Sequence, residues 1–293
     1  MAGTGHDARH VLTDGRVIEY WEGGDPDGRG VILHPGTPVT RVLGRWGHDA
    51  AVSAGVRLVA VSRPGYGGST TIETPGLSAV GRDTAALAAH LGLDGYAVFG
   101  TSGGGPFAVA TAIADPGGIR ALGVVGGVGP WRQLDEATSL LEDRALLALL
   151  DAGDIAAAWA GLSRQTEEEL GGLSPDDAVE VMFAGEESWL LHDERYRAIW
   201  TDNMRVVLDN LDGYVSDNLA WGGIWDVDPR DVETPSLLWY GEEDEHCPPI
   251  THGRWYADRI SGSQLIVFPG EGHFDVIDTH WPEVLAGLLR IWN

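Results

Sequence analysis

Residues 97 to 110 read AVFGTSGGGPFAVA. An apolar run stops at Gly100, four glycines and one serine intervene, and Pro106 opens a second apolar run rich in alanine. A short apolar run bounded by glycine suits a buried strand. Proline suits the first turn of a helix, where its missing N–H is not needed. The stretch therefore predicts a strand, a very tight turn and a helix. Its glycines clear space either for a phosphate or for Ser102 itself.

The flanking sequence repeats that alternation. Strand-like runs occur at 16–24, 30–34, 56–62, 96–100 and 119–127, with helix-like stretches at 40–54, 77–92 and 105–115 between them. In the second of these helices Val80, Leu87 and Leu91 share one face, and Gly92 suits the C-terminal cap. Strand alternating with helix predicts a mostly parallel α/β sheet covered on both faces. The rhythm stops from 131 to 222, which is helical and acidic. It resumes with a strand at 235–241, a helix at 250–260, a strand at 263–270 and a last helix at 281–292. The domain reading is a core of 1–130 and 223–293, interrupted by a helical insertion at 131–222.

Composition narrows the chemistry. Of 293 residues, 44 are acidic and 19 basic, a formal charge of −25. No lysine occurs, so every basic residue is an arginine. A Schiff-base lysine and a phosphate-loop lysine are thereby excluded. The charge argues against nucleic acid or an anionic membrane as partner. No run of about 18 apolar residues suggests a membrane span, and the first 15 residues lack the apolar core of a signal peptide. Cys247, the single cysteine, cannot form an internal disulfide. A cytoplasmic protein is expected.

Gly100-Thr101-Ser102-Gly103-Gly104 fits G-x-S-x-G between a predicted strand and helix, the context of a nucleophile elbow. There the serine oxygen stands at a helix N-terminus, and the Gly103 amide can face a developing oxyanion. The same glycines fit G-x-G-x-x-A through Gly103, Gly105 and Ala108. That dinucleotide fingerprint belongs on the first βαβ unit, with an acid at a strand end some 20 residues on. Here it lies on a late strand, and Asp115 is too near. A glycine turn that merely packs closely is the third reading.

A nucleophilic serine needs a base, and the base needs an orienting acid. Asp244 lies just beyond the strand at 235–241, among Glu242, Glu243 and Glu245. His273 follows the strand at 263–270 and a glycine turn. Both follow strands, so both can reach the carboxyl edge of the sheet beside Ser102. His246 is too close to the acid in sequence and reads as a surface residue. Asp275 and Asp278 read as residues that cap or solvate the turn.

Five segments in order now resemble the α/β-hydrolase superfamily: HPGTP (34–38), SRPGYGGST (62–70), GTSGG (100–104), GEEDEHCPP (241–249) and GEGHF (270–274). The resemblance covers nearly the whole chain. It implies a mostly parallel eight-stranded sheet flanked by helices, with the helical insertion as a cap. It implies Ser102 as nucleophile, His273 as base and Asp244 as its orienting acid. Two segments depart from the family pattern. Pro35 intervenes where glycine usually follows the histidine. Gly36-Thr37-Pro38 then matches the Gly-x-Pro part, which implies Thr37, or Gly36 after a one-residue shift, as the second oxyanion amide beside Gly103. Ser62 stands where the family often has aspartate, and Arg63 is expected to order the loop. His34 is expected to hold the loop rather than to catalyse.

The implied reaction is acyl transfer at a small-to-medium, largely apolar ester or lactone, with a small-molecule substrate, no cofactor and no metal. The expected assembly is a monomer or homodimer. Trp131, Trp159, Met182, Phe183, Trp189, Trp200 and Trp221 are candidate pocket residues, because ligand sites favour aromatic walls; packing the cap on the core is the competing role. Two other readings remain. One is an aminopeptidase resembling the proline iminopeptidases, with Glu186 and Glu187 taking the substrate amine. However, the His-Gly-Gly-Pro-Gly loop and the tryptophan after the nucleophile are missing. The other is a non-catalytic ligand-binding module on the same fold.

Overall fold

The computed structural model describes residues 5–134, 144–184 and 186–292. Eight strands form one sheet: β1 (His6–Val11), β2 (Val17–Gly24), β3 (Arg29–His34), β4 (Val56–Ser62), β5 (Tyr96–Thr101), β6 (Ile119–Val125), β7 (Ser236–Gly241) and β8 (Gln264–Phe268). Their order is β1-β2-β4-β3-β5-β6-β7-β8. The β1–β2 and β2–β4 pairs are antiparallel and the other pairs parallel. The expected mostly parallel eight-stranded sheet is the observed one.

Successive side chains of a strand point to opposite faces, and both faces of this sheet are apolar. Val31, Leu33, Ala97 and Phe99 join one core, beneath α1 (His48–Ala54), α10 (His273–Thr279) and α11 (Trp281–Ile291), where Ala51, Val276, Trp281 and Leu288 are buried. Ile32, Tyr96 and Val98 join the other, beneath α2 (Leu77–His90), α3 (Gly105–Ala114) and α9 (Arg254–Ala257). This double burial is why β3 to β7 read as largely apolar runs. β1 lies at the sheet edge, with exposed residues in its pattern. It carries no such run, and the sequence reading passed over it.

Between β6 and β7 come α4 (Arg144–Asp151), α5 (Ile155–Leu170), α6 (Pro175–Met182), α7 (Glu194–Asp209) and α8 (Asp212–Gly222). Good caps start several of them. Asp154, Ser174 and Asp193 each accept hydrogen bonds from first-turn amides, satisfying donors that a helix start leaves open. Ala178, Val179, Phe183, Tyr196, Trp200 and Met204 of this segment pack with Val39 and Leu43, just after β3. Among the described residues no helix is long and apolar enough to cross a membrane.

The glycine turn after β8 is short, and α10 begins at His273 itself. Asp275 caps it, accepting from the Gly272 amide at 3.1 Å. Asp278 does not solvate the turn. It is 2% exposed and accepts a 2.5 Å hydrogen bond from the Tyr196 hydroxyl of α7.

Candidate active site

Ser102 is the one non-glycine residue with positive φ among the described residues, at 48°. A side chain in this left-handed region costs of order 1–3 kcal/mol, and such outliers cluster at functional sites. The crossing of β5 and α3 explains why neighbouring positions are glycine. A Cβ on Gly100 would sit 2.2 Å from the Gly104 carbonyl oxygen. One on Gly104 would sit 2.1 Å from that of His34. The glycines therefore make room for the serine turn, and the phosphate reading falls away.

The residues that follow β7 and β8 converge on this turn. The His273 Nε2 lies 2.9 Å from Ser102 Oγ, and its Nδ1 lies 2.7 Å from Asp244 Oδ2. The other carboxylate oxygen of Asp244 accepts from the His246 amide at 2.9 Å and the Cys247 amide at 2.7 Å. Asp244 is 3% exposed. Burial works to raise its pKa, but His273 and the amide donors outweigh it, and the carboxyl titrates below its usual range. Such a carboxylate can fix one imidazole tautomer and stabilise the charged ring, leaving Nε2 to take a proton from Ser102. Glu242, Glu243 and Glu245, its neighbours in sequence, are exposed or turned away from this contact.

The segment after β3 lies against the turn. A Cβ on Gly36 would be 3.2 Å from Ser102 Cβ. One on Gly103 would be 2.4 Å from Thr37 Oγ1 and 3.4 Å from the Thr37 nitrogen. The Thr37 and Gly103 backbones are thus neighbours beside the serine, and the Gly103 amide, at the start of a helix, has no intrahelical acceptor. Two amides in this position can receive the oxygen of a tetrahedral intermediate.

Arg63 meets the expectation that it orders this loop. It donates to the Pro35 carbonyl and, at 2.6 Å, to the Gly36 carbonyl. His34 is fully buried, with Nε2 3.0 Å from Thr111 Oγ1 of α3. It ties the end of β3 to a helix and does not face Ser102. Burial and Arg63 hold it neutral, well below its ordinary pKa. Cys247 is buried, and its thiol is pushed up by burial and by Asp244.

The candidate pocket residues divide. Met182, Phe183 and Trp189 border a cavity of about 480 Å³ together with Glu243, Glu245, His246 and His273; Ser102 is not among the residues that line it. Trp200 is 1% exposed and packs edge-on to Phe183 and Phe274 behind that wall. Trp131 meets Trp221 edge-on at 4.6 Å, and Trp131 and Trp159 pack on the core formed by Leu150, Ala158, Leu162, Val215 and Leu219. The side chains of Glu186 and Glu187 lie outside the described residues. His246 is exposed, as expected, yet its ring centroid is 5.1 Å from that of His273.

Sequence reasoning missed two polar residues of the helical segment. Asn203 of α7 accepts from the Thr40 amide at 2.8 Å and donates to the Pro38 carbonyl at 3.2 Å. Asp217 of α8 pairs with Arg63. A buried arginine requires an acid, which signals that a partner exists, but nothing in the sequence singles it out among 44 acids.

Comparison with known proteins gives the family of the fold. The model of the alpha/beta hydrolase fold family matches residues 31–279. No curated protein matches the chain. Among solved structures, a thermophilic esterase from Thermogutta terrifontis is 20% identical with a TM-score of 0.71, covering 98% of this chain and 100% of that one. A bromoperoxidase from Bacillus anthracis is 21% identical with a TM-score of 0.69, covering 97% and 100%. An enol-lactonase from Burkholderia xenovorans LB400 is 16% identical with a TM-score of 0.68, covering 97% and 100%. At such identity these likenesses speak for the fold alone. With the family match spanning most of its length, this chain belongs to the alpha/beta hydrolase fold family.

Proposed function

We propose that this protein is a serine hydrolase that cleaves an ester or lactone of a small-to-medium, largely apolar substrate through an acyl-enzyme on Ser102. The observation that carries the reading is the hydrogen-bonded line from Ser102 Oγ through His273 to Asp244, at 2.9 and 2.7 Å. His273 takes the Ser102 proton as Oγ attacks the carbonyl carbon. The Gly103 and Thr37 amides receive the oxyanion. As the intermediate collapses, His273 returns the proton to the leaving alkoxide, and the acyl group stays on Ser102. A water, deprotonated by His273, then releases it as a carboxylic acid and restores the serine.

The segment 131–222 acts as a cap over this site, and Met182, Phe183 and Trp189 supply the apolar part of a cavity that reaches His273, which also carries Glu243 and Glu245. The esterase and enol-lactonase among the structural neighbours act on ester bonds by name, which agrees with this choice of substrate.

The test is twofold. A fluorophosphonate probe is expected to label the folded wild type at Ser102 and to leave Ser102→Ala unlabelled. A panel of p-nitrophenyl esters, lactones and aminoacyl anilides is expected to favour the esters and lactones. Folded protein that resists the probe would make it a binding module, and preference for the anilide with a free amine would make it an aminopeptidase.

A further inference from the structure

We infer that Asp217, on α8, is a positioning residue for the oxyanion loop, so that a helix of the 131–222 segment sets the direction of the Thr37 amide. The inference rests on the serine-hydrolase reading of Ser102 and goes beyond it.

The chain of contacts starts at Arg63. Its side chain is fully buried, and that of Asp217 is 2% exposed. One edge of the guanidinium meets the carboxylate in a two-pronged pair: Nε donates to Oδ1 at 2.8 Å and Nη2 to Oδ2 at 2.5 Å. Such a pair fixes the plane of the guanidinium as well as its place. The remaining donors then aim at the loop, Nη1 at the Pro35 carbonyl and Nη2 at the Gly36 carbonyl.

A trans peptide unit is planar, and its C=O and N–H point in opposite directions. The Gly36 carbonyl and the Thr37 N–H belong to one such unit. With the carbonyl held toward Arg63, the Thr37 N–H faces the other way, on the side where the Thr37 nitrogen neighbours Gly103. The same holds for the Pro35 carbonyl and the Gly36 N–H. Asp217 also takes the loop directly. Its Oδ2 accepts from Thr37 Oγ1 at 2.7 Å and from the Tyr66 hydroxyl at 2.9 Å. One carboxylate therefore orients the arginine that turns the peptides and the threonine whose amide is turned.

Asp217 is too deeply buried to meet substrate, so its effect falls on the transition state. An oxyanion donor is worth about 10²–10³ in kcat when lost outright, and a misdirected one loses part of that. The expected signature is a fall in kcat with KM nearly constant, matched by weaker binding of a trifluoromethyl ketone, which mimics the tetrahedral intermediate.

The experiment measures kcat, KM, trifluoromethyl ketone affinity and thermal melting for the wild type and four variants, on a p-nitrophenyl ester. Thr37→Val keeps the side-chain shape but removes the hydroxyl that reaches Asp217, and is expected to lower kcat and ketone affinity about 10-fold. Thr37→Ser restores the hydroxyl and is expected to return both to within about 3-fold of wild type. Asp217→Asn alone would strand a buried cation, so it is not one of the four. The double variant Arg63→Met with Asp217→Leu removes both charges, which proteins often tolerate. Folded, it is expected to lose about 10²-fold in kcat with KM changed less than about 3-fold. Asp212→Asn on the same helix serves as the control with unchanged kcat.

Unchanged kcat and ketone affinity in the folded double variant or in Thr37→Val overturn the inference, as does a rise in KM alone. A wild type that neither hydrolyses esters nor takes the fluorophosphonate overturns the hydrolase reading, and this inference with it. An active wild type with indifferent Asp217 and Thr37 variants overturns the inference only.

Discussion

His273 Nε2 stands 2.9 Å from Ser102 Oγ, although 171 positions separate the two residues in sequence. The contact exists because β5 and β8 end on the same edge of the sheet. Asp244 completes it, and its amide partners dictate what a substitution does. In Asp244→Asn, the amide oxygen can still accept from His246 and Cys247, leaving the NH₂ group toward His273 Nδ1. A donor there selects the wrong imidazole tautomer. We expect folded protein with kcat reduced on the order of 10⁴-fold. Wild-type melting together with wild-type kcat in this variant would remove Asp244 from the proposed mechanism.

The packing of the start of α3 against the end of β3 makes a prediction about stability. Gly104 has φ −78°, so alanine meets no conformational objection there, but its Cβ would lie 2.1 Å from the His34 carbonyl oxygen and 2.4 Å from that of Pro35. Overpacking of this kind costs about 1–3 kcal/mol or more, and the backbone on both sides is held in the sheet and helix. Gly161, inside α5, has nothing within 4 Å of its Cβ position. Gly161→Ala is expected to stabilise by about 0.5–1 kcal/mol. Denaturant titration of both variants checks the pair, and a neutral Gly104→Ala would contradict the steric account.

What the sequence discloses follows from where each residue does its work. Strands β3 to β7 are buried on both faces and so read as apolar runs, while the edge strand β1 and the short α10 leave no periodic trace. Ser102, Asp244 and His273 were legible because each sits in a glycine turn or loop next to a strand end. Asp217 and Asn203 were not. They sit inside helices, and their partners Arg63 and Thr40 lie 154 and 163 positions away in sequence. Local pattern carries no information on which helix will lie over a loop.

The tryptophans separate by the same physics. Trp189 is 50% exposed and borders the cavity beside His273. Trp200 is 1% exposed, packed against Phe183, Tyr196 and Phe274. Trp200→Ala is expected to cost about 3–5 kcal/mol of stability, the usual penalty for emptying a buried aromatic site. Trp189→Ala is expected to melt near wild type and to raise KM for bulky aromatic esters. Equal destabilisation by the two would mean that Trp189 packs in solution rather than facing substrate.

His252 makes stability depend on pH. Its side chain is fully buried, its Nδ1 accepts from the Gly129 amide at 2.8 Å, and burial pushes its pKa from 6.5 down to about 4, against a partial rise from Asp244. The unfolded chain takes up a proton near pH 6.5 that the folded chain refuses until about pH 4. The stabilisation is therefore complete above pH 6.5 and is lost as pH falls through that window. At about 1.4 kcal/mol per pH unit the loss approaches roughly 3 kcal/mol. His34, shifted in the same direction, adds to it. Asp244 acts elsewhere: its lowered pKa contributes stability above the unfolded carboxylate value of 3.8, lost only as pH falls below that. Replacing His252 with asparagine keeps an acceptor for Gly129 and removes the titration. Denaturant midpoints at pH 7, 5.5 and 4.5 are expected to fall less steeply in His252→Asn than in wild type, with the two converging toward pH 4. Parallel curves would show that His252 titrates alike in both states, against its burial.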